Sequence, residues 1–402
     1  MVHSRRNVVL LFSARSIRLF AYGALSVVLA LYLNEAGLSS ADIGLLFTLT
    51  LAGDAGITLW ITTTADRFGR KKMLLLGAGL MVMAGVVFSL TGNIMLLMIA
   101  GIIGVISPSG NEIGPFLSLE QAALSQLLSS EQRTRAFGWY NLAGSLAAAA
   151  GALAGGLLSQ SLINTGLSEL ESYRAVILGY AACGIVLMAF FLFLSPEVEA
   201  TASVPSQERV LGLHKSKRVV LKLSALFALD AFAGGFVIQS MVAYWFHIRF
   251  GLDAGVLGSI FFGANILAGV SALLAVRIAN RIGLIRTMVY THIPSNVLLC
   301  LVPFMPTLGL AITVLLLRFS ISQMDVPTRQ SYTMAVVAPD ERSAASGVTT
   351  IARSIGAAAS PVLAGVFLAS PILLSAPFLV AGSLKIVYDL LLYRSFKKAD
   401  VR

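Results

Sequence analysis

The chain has 402 residues, of which 57% are apolar and only 12% charged, and it carries a formal net charge of +10. A mean hydropathy of +0.85 excludes a water-soluble domain, because so few charges cannot cover a polar surface. Two cysteines, Cys183 and Cys300, exclude a disulfide framework and a cysteine-rich metal centre.

A bilayer crossing takes ~20 apolar residues in a helix, because every backbone polar group must be satisfied within the segment. Twelve such runs are predicted, at 11–33, 42–63, 73–91, 94–122, 137–158, 174–194, 220–246, 254–278, 285–304, 308–336, 346–369 and 375–393. The first is too long for a signal peptide and holds Arg15 and Arg18, so it reads as a spanning helix. The second carries Asp54, twelve residues before Asp66 and so ~18 Å along the helix, near mid-membrane. Between the second and third runs stands Asp66-Arg67-Phe68-Gly69-Arg70-Lys71-Lys72.

The fourth run has Asn111 and Glu112 between Pro108 and Pro115, followed by Glu120 and Gln121, which predicts a kinked helix carrying polar groups. Gly138, Gly151, Gly155 and Gly156 punctuate the fifth and predict close helix packing. Ser195 to Arg218 breaks the apolar rhythm, dividing the chain into an N-terminal half (1–195), a linker (196–218) and a C-terminal half (219–402). Asp230 lies deep in the seventh run, and His292, one turn from Asn296, reads as a packing or hydrogen-bonding residue in the ninth. The tenth holds Arg318, Asp325, Arg329 and Gln330, with Asp325 and Arg329 spaced for an i,i+4 pair. The eleventh has Arg353, Gly356 and Pro361, and Lys385 and Asp389 one turn apart in the twelfth read as a local pair.

The halves repeat each other. Ala65 to Gly69 recurs as Ala279-Asn280-Arg281-Ile282-Gly283, and Gly37-Leu38, Gly44 and Phe47 recur as Gly251-Leu252, Gly258 and Phe261, all 214 residues on. Further along the offset becomes 209, aligning Glu131 to Gly138 with Asp340 to Gly347. Duplication of this length points to the two halves of a transporter. Basic residues gather at alternate connections, at Arg5 and Arg6, Arg67 to Lys72, Arg133 and Arg135, Arg209 to Arg218, Arg281 and Arg286, and Arg394 to Lys398. Those ends, and both termini, are therefore expected in the cytoplasm. The positive charge then serves topology and contact with anionic membrane lipids, and gives no reason to expect a nucleic-acid partner.

Six helices, a basic linker and six more helices, with the Asp66 to Lys72 loop after the second, resemble the major facilitator superfamily over essentially the whole chain. The stretch Met324 to Gln330 and the Arg15-Ser-Ile-Arg18 opening are similar to runs in a drug-efflux-like branch, and the fifth-helix glycines resemble the antiporter pattern. The resemblance implies an all-α membrane fold of twelve transmembrane helices in two pseudo-symmetric halves. It further implies a cytoplasmic gate at Asp66, Arg67, Gly69, Arg70 and Arg281, whose charge pairs bias one conformation over another. Lys71 and Lys72 read as topology signals alone.

Ionisable groups at bilayer depth are costly and mark function. Asp54, Glu112 and Asp230 are candidates for exchanging a coupling proton. Arg18, Asn111, Glu120, Gln121, Asp325, Arg329, Gln330 and Arg353 are candidates for lining a substrate cavity, with Glu120 and Arg329, aligned by the 209 offset, expected to pair between halves. No metal-ligand spacing, nucleophile motif or phosphate-binding loop occurs, so an enzyme, a metal, a cofactor and direct ATP use are not expected. The expected function is secondary active transport by alternating access, first as proton-coupled export of a small organic compound from a monomer in the cell (inner) membrane. Proton-coupled uptake of an anionic metabolite is the alternative, and a non-transporting sensor on the same scaffold ranks last.

Overall fold

The computed structural model describes residues 2–112, 114–199, 215–338 and 341–397, and within these the side chains at 2–4, 66, 130–135 and 343 lie outside the description. Residues 200–214 of the predicted linker fall outside it as well. The described residues form helices α1 (Val2–Glu35), α2 (Ser40–Phe68), α3 (Arg70–Leu90), α4 (Ile94–Ile103), α5 (Phe116–Leu127), α6 (Ser130–Asn164), α7 (Glu169–Leu192), α8 (Lys217–Gly235), α9 (Gln239–Phe250), α10 (Ala254–Ile282), α11 (Leu284–Leu301), α12 (Leu308–Phe319), α13 (Asp325–Val336), α14 (Arg342–Ala359), α15 (Pro361–Leu368) and α16 (Ala376–Phe396). Among the described residues ten segments are long and apolar enough to cross a membrane, and α4 and α12 are shorter apolar helices. Counted together, these make the twelve crossings.

Four predicted spans are not continuous helices. The run 94–122 breaks into α4 and α5, because Pro108 and Pro115 lack a backbone donor and Gly110 and Gly114 take positive φ angles of 67° and 78° between them. The run 308–336 breaks at 320–324, where a helix running through would need an N–H at Pro327; α13 restarts at Asp325 with that proline in its first turn. The run 346–369 restarts at Pro361, and 220–246 breaks after Gly234 and Gly235. At membrane depth such irregular backbone is tolerated only where protein or a water-lined cavity surrounds it.

The fold divides into two compact units, one of Met1–Val204 with Gln239–Phe262, the other of Pro205–Ile238 with Gly263–Arg402. In the first, α1 packs most extensively on α6 and α3 on α7; in the second, α8 packs on α14 and α11 on α16. These are the first and fifth, third and sixth, seventh and eleventh, and ninth and twelfth crossings, so the packing repeats as the sequence does.

Glycine sets these approaches. A Cβ on Gly151 would collide with the Phe20 carbonyl of α1, one on Gly155 would meet the Ala24 backbone, and one on Gly156 would lie 2.8 Å from the Gly258 Cα. Gly356 lies equally close to the Ala228 carbonyl of α8, and Pro361 is buried at the start of α15. Gly138 departs from the packing expectation: it is exposed with open space around it, because it sits in α6 ahead of the stretch that meets α1. The same substitution should therefore have opposite effects at the two ends of α6. Gly151→Ala is expected to cost ~1–3 kcal/mol through overpacking, and Gly138→Ala to be neutral or to gain up to ~1 kcal/mol of helix propensity. Thermal unfolding of both variants in detergent checks this, and equal melting temperatures would contradict the packing.

Candidate functional site

In the first unit, α1 presents Arg15 and Arg18 three residues apart, hence on one face. The broken stretch between α4 and α5 brings Glu112 to that face. Its carboxylate takes Arg15 Nη1 at 2.8 Å and Arg18 Nε at 2.7 Å. Glu120, one turn into α5, takes the other edge of Arg18 in a bidentate pair, Nη1 to Oε1 at 2.8 Å and Nη2 to Oε2 at 2.7 Å. The Tyr140 hydroxyl of α6 donates to the same Glu120 carboxylate, and Arg15 Nη2 donates to Asn141 Oδ1 at 3.2 Å. Arg15 stands 4.3 Å over the Tyr140 ring and Arg18 4.5 Å over that of Phe116. Arg18 and Glu120 are fully buried. Two cations thus meet two anions, and each guanidinium nitrogen of Arg18 donates to a carboxylate, which uses three of its five N–H groups.

Asp54 is different. Its Oδ1 is buried without a hydrogen-bond partner, and no cation pairs with it among the described residues. Gly114, at positive φ, approaches it so closely that a Cβ there would lie 3.6 Å from Oδ1.

In the second unit, Asp230 of α8 is shared by three cations: Lys385 Nζ at 2.6 Å, Arg329 Nη1 at 3.2 Å and Arg353 Nη1 at 3.3 Å. Arg329 also holds Asp325 at 2.9 Å, the i,i+4 pair expected from spacing. His292 Nδ1 lies 2.9 Å from Asp389 Oδ1, and Asn296 Nδ2 donates to Asp389 Oδ2 at 3.2 Å. Around Asp230 three cations therefore face two carboxylates, and Arg353, whose side chain is 35% exposed, is the loosest of the three.

One expectation is corrected by these contacts. Lys385 and Asp389 do not pair with each other, since α8 offers Lys385 a buried carboxylate and α11 offers Asp389 a histidine and an amide. Glu120 holds Arg18 within the first unit, and Arg329 holds Asp230 and Asp325 within the second. His292 takes the hydrogen-bonding one of its two expected roles, since it holds Asp389. The i,i+4 spacing in α16 marked these residues as polar partners but could not say of whom.

The other candidates are scattered. Asn111 is exposed and donates to the Ser109 carbonyl at 3.2 Å, Gln330 is exposed, and Gln121 is half-buried. At the predicted gate the Asp66 side chain lies outside the described residues, Arg67 and Arg281 are exposed, and Gly69, at φ 100°, makes the turn between α2 and α3. The start of α3 is held instead by Glu199, a residue the sequence reading passed over. Its carboxylate accepts the Arg70 N–H at 2.6 Å and the Lys71 N–H at 3.3 Å, while Arg70 Nη1 donates to Gln126 Oε1 at 3.0 Å. An anion at a helix N-terminus is favourable, but nothing in the Pro196–Val198 neighbourhood of the sequence signals it.

Comparison with known proteins gives one consistent picture. The family model described as Major Facilitator Superfamily matches residues 11–361. An uncharacterized membrane protein of Saccharomyces cerevisiae is 31% identical over 428 residues, covering 99% of this chain and 95% of that protein. Among solved structures, a bacterial homolog of the human lysosomal transporter Spinster superposes with a TM-score of 0.72 at 16% identity, over 100% of this chain and 99% of that one. The nucleoside transporter NupG does so with a TM-score of 0.71 at 14% identity, over 97% and 99%.

Proposed function

The chain belongs to the major facilitator superfamily, as an integral multi-pass membrane protein, and we propose that it is a proton-coupled secondary active transporter with Asp54 as its coupling carboxyl. The two sequence halves, 1–195 and 219–402, rock about a central site, with the 196–218 linker and both termini on the cytoplasmic side and the monomer as the working unit. The observation that carries this reading is the lack of a counter-charge at Asp54 among the described residues. Glu112, Glu120, Asp230 and Asp325 each hold one or more cations, so taking up a proton there breaks an ion pair, whereas Asp54 can gain or lose one without doing so. Export of a small organic compound is the first direction, supported by the Met324 to Gln330 run and by the packing of Gly151, Gly155 and Gly156.

One observation favours a second reading, uptake of an anionic metabolite together with a proton. Arg353 shares Asp230 with Lys385 and Arg329, and holds it at the longest distance of the three from a partly exposed position where a planar fork suits a carboxylate or phosphate. Proteoliposomes with an internal pH dye, challenged with cationic, neutral and anionic compounds, test both. Substrate-dependent proton movement supports coupling. A signal confined to anions and lost in Arg353→Ala selects the second reading, and failure of every compound to move protons counts against coupling.

A further inference from the structure

We propose that one face of α2 is a hydrated proton track, formed by Thr50, Asp54 and Thr58 with the Tyr22 hydroxyl of α1, that delivers the coupling proton to Asp54. This rests on the coupling reading of Asp54 and adds the route by which the proton reaches it. Residues 50, 54 and 58 are spaced by four, so they stack along a single stripe, ~12 Å long at 1.5 Å per residue. All four groups have a buried oxygen without a hydrogen-bond partner among the described residues: Thr50 Oγ1, Asp54 Oδ1, Thr58 Oγ1 and the Tyr22 hydroxyl. Thr50 and Tyr22 are fully buried.

The same helix supplies its own contrast. Near its other end, Thr62, Thr63 and Thr64 each turn the hydroxyl back on the carbonyl four residues earlier, Thr62 to Thr58 at 2.7 Å, Thr63 to Leu59 at 2.8 Å and Thr64 to Trp60 at 2.7 Å. That back-bond is the ordinary way a threonine satisfies itself in a helix at membrane depth. Thr50 and Thr58 do not make it, and their hydroxyls stay available to a third party. A buried hydroxyl left unmet is costly, so a row of them on one stripe marks a place where water is bound.

Glycine stands opposite two of these oxygens. A Cβ at Gly101 of α4 would lie 2.7 Å from Thr50 Oγ1, and one at Gly114 would lie 3.6 Å from Asp54 Oδ1, so a side chain at Gly101 would crowd the Thr50 hydroxyl. The ionisable groups facing Asp54 from its neighbours are Tyr22 of α1, Glu112 of the broken stretch and Tyr180 of α7. Glu112 is held by Arg15 and Arg18, and the Tyr180 hydroxyl donates to the Val105 carbonyl. Tyr22, whose ring stacks on Tyr180 with centroids 6.2 Å apart, is the one with a free hydroxyl.

The arrangement suits a proton better than a metal cation. A bare cation needs oxygens converging on one point, whereas these are strung along a line. A line of hydroxyls and water moves a proton by relay. A hydronium at the end of the line gives its proton to the next oxygen, the last link protonates the Asp54 carboxylate, and water is left at the entrance; release runs the same steps in reverse.

Infrared difference spectroscopy of the full-length protein in liposomes after a pH jump tests this without knowledge of the substrate. Acidification should produce the carbonyl band of a protonated carboxyl, absent in Asp54→Asn. Thr50→Val and Thr58→Val, which remove a hydroxyl at constant volume, should delay that band about a hundredfold, the size of an ordinary proton-relay contribution, while Thr63→Val leaves it unchanged. A band that rises at the unsubstituted rate in both valine variants overturns the track and spares the coupling reading. A spectrum in which Asp54→Asn matches the unsubstituted protein overturns the coupling reading itself. Should the valine variants fold poorly, Thr50→Cys and Thr58→Cys in a background with Cys183 and Cys300 replaced by serine give a second readout. Rapid modification by a small water-borne thiol reagent shows hydration, and inert thiols at both positions overturn it.

Discussion

Asp54→Asn is expected to abolish gradient-driven transport, a loss of about a hundredfold or more, in a protein that remains folded and still binds its substrate. Asparagine keeps the shape and polarity of the side chain and removes only the exchangeable proton. Because no cation pairs with Asp54 among the described residues, the substitution strands no charge. The contrast is with the other acids. Glu112→Gln loosens both Arg15 and Arg18, and Asp230→Asn leaves Lys385, Arg329 and Arg353 without their shared carboxylate, so at either site lost transport comes with lost stability. Separating the two effects takes three measurements on each variant: the pH-dye assay in proteoliposomes, substrate exchange at equal pH, and a thermal melt. Asp54→Asn should fail the first alone. Proton movement at the unsubstituted rate in that variant would sink the assignment.

The second large effect is structural. Arg18→Met should cost ~3–5 kcal/mol, because it leaves Glu120 fully buried without its bidentate partner and weakens the hold on Glu112. Lysine is not expected to rescue it, since one ammonium cannot span two carboxylates that the guanidinium fork reaches from different edges. Removing the stranded charge should do better than replacing the lost one. Arg18→Met combined with Glu120→Leu is expected to recover much of the stability, as buried ion pairs exchanged whole for apolar packing often do. Thermal unfolding of the two single variants, the lysine variant and the double variant decides it. A double variant no more stable than Arg18→Met would mean that the network contributes through packing and not through charge balance.

Much of the fold was legible from the sequence because the constraint a bilayer imposes is local and one-dimensional. Each crossing must be apolar for ~20 residues, so the runs announce themselves, and the duplication at offsets of 214 and 209 organises them into halves before any contact is known. The glycines of the fifth crossing announced close packing in the same way, and Gly151, Gly155 and Gly156 lie against neighbouring backbone. Gly138, on the same pattern, does not, since a spacing rule cannot tell where along α6 its neighbour begins.

The breaks inside four crossings were half legible. Pro108 and Pro115 with glycines between them foretold a kink, and the structure makes of it a break between α4 and α5, from which Glu112 reaches α1. Pro327 and Pro361 carried the same signal, but proline forbids one backbone bond and leaves the chain to choose between bending and stopping.

By itself the sequence determined that the protein spans a membrane twelve times in two related halves, and which few residues carry charge within those spans. Which charges neutralise one another was decided only in the tertiary structure. Lys385 belongs to Asp230 and not to Asp389, Glu120 to Arg18, and Asp54 to no cation among the described residues. The reason is that an ion pair depends on the rotation and register of helices far apart along the chain. Those are fixed by small residues packing against a neighbouring helix's backbone, as Gly151 does against α1 and Gly356 against α8, and not by any spacing within a single helix.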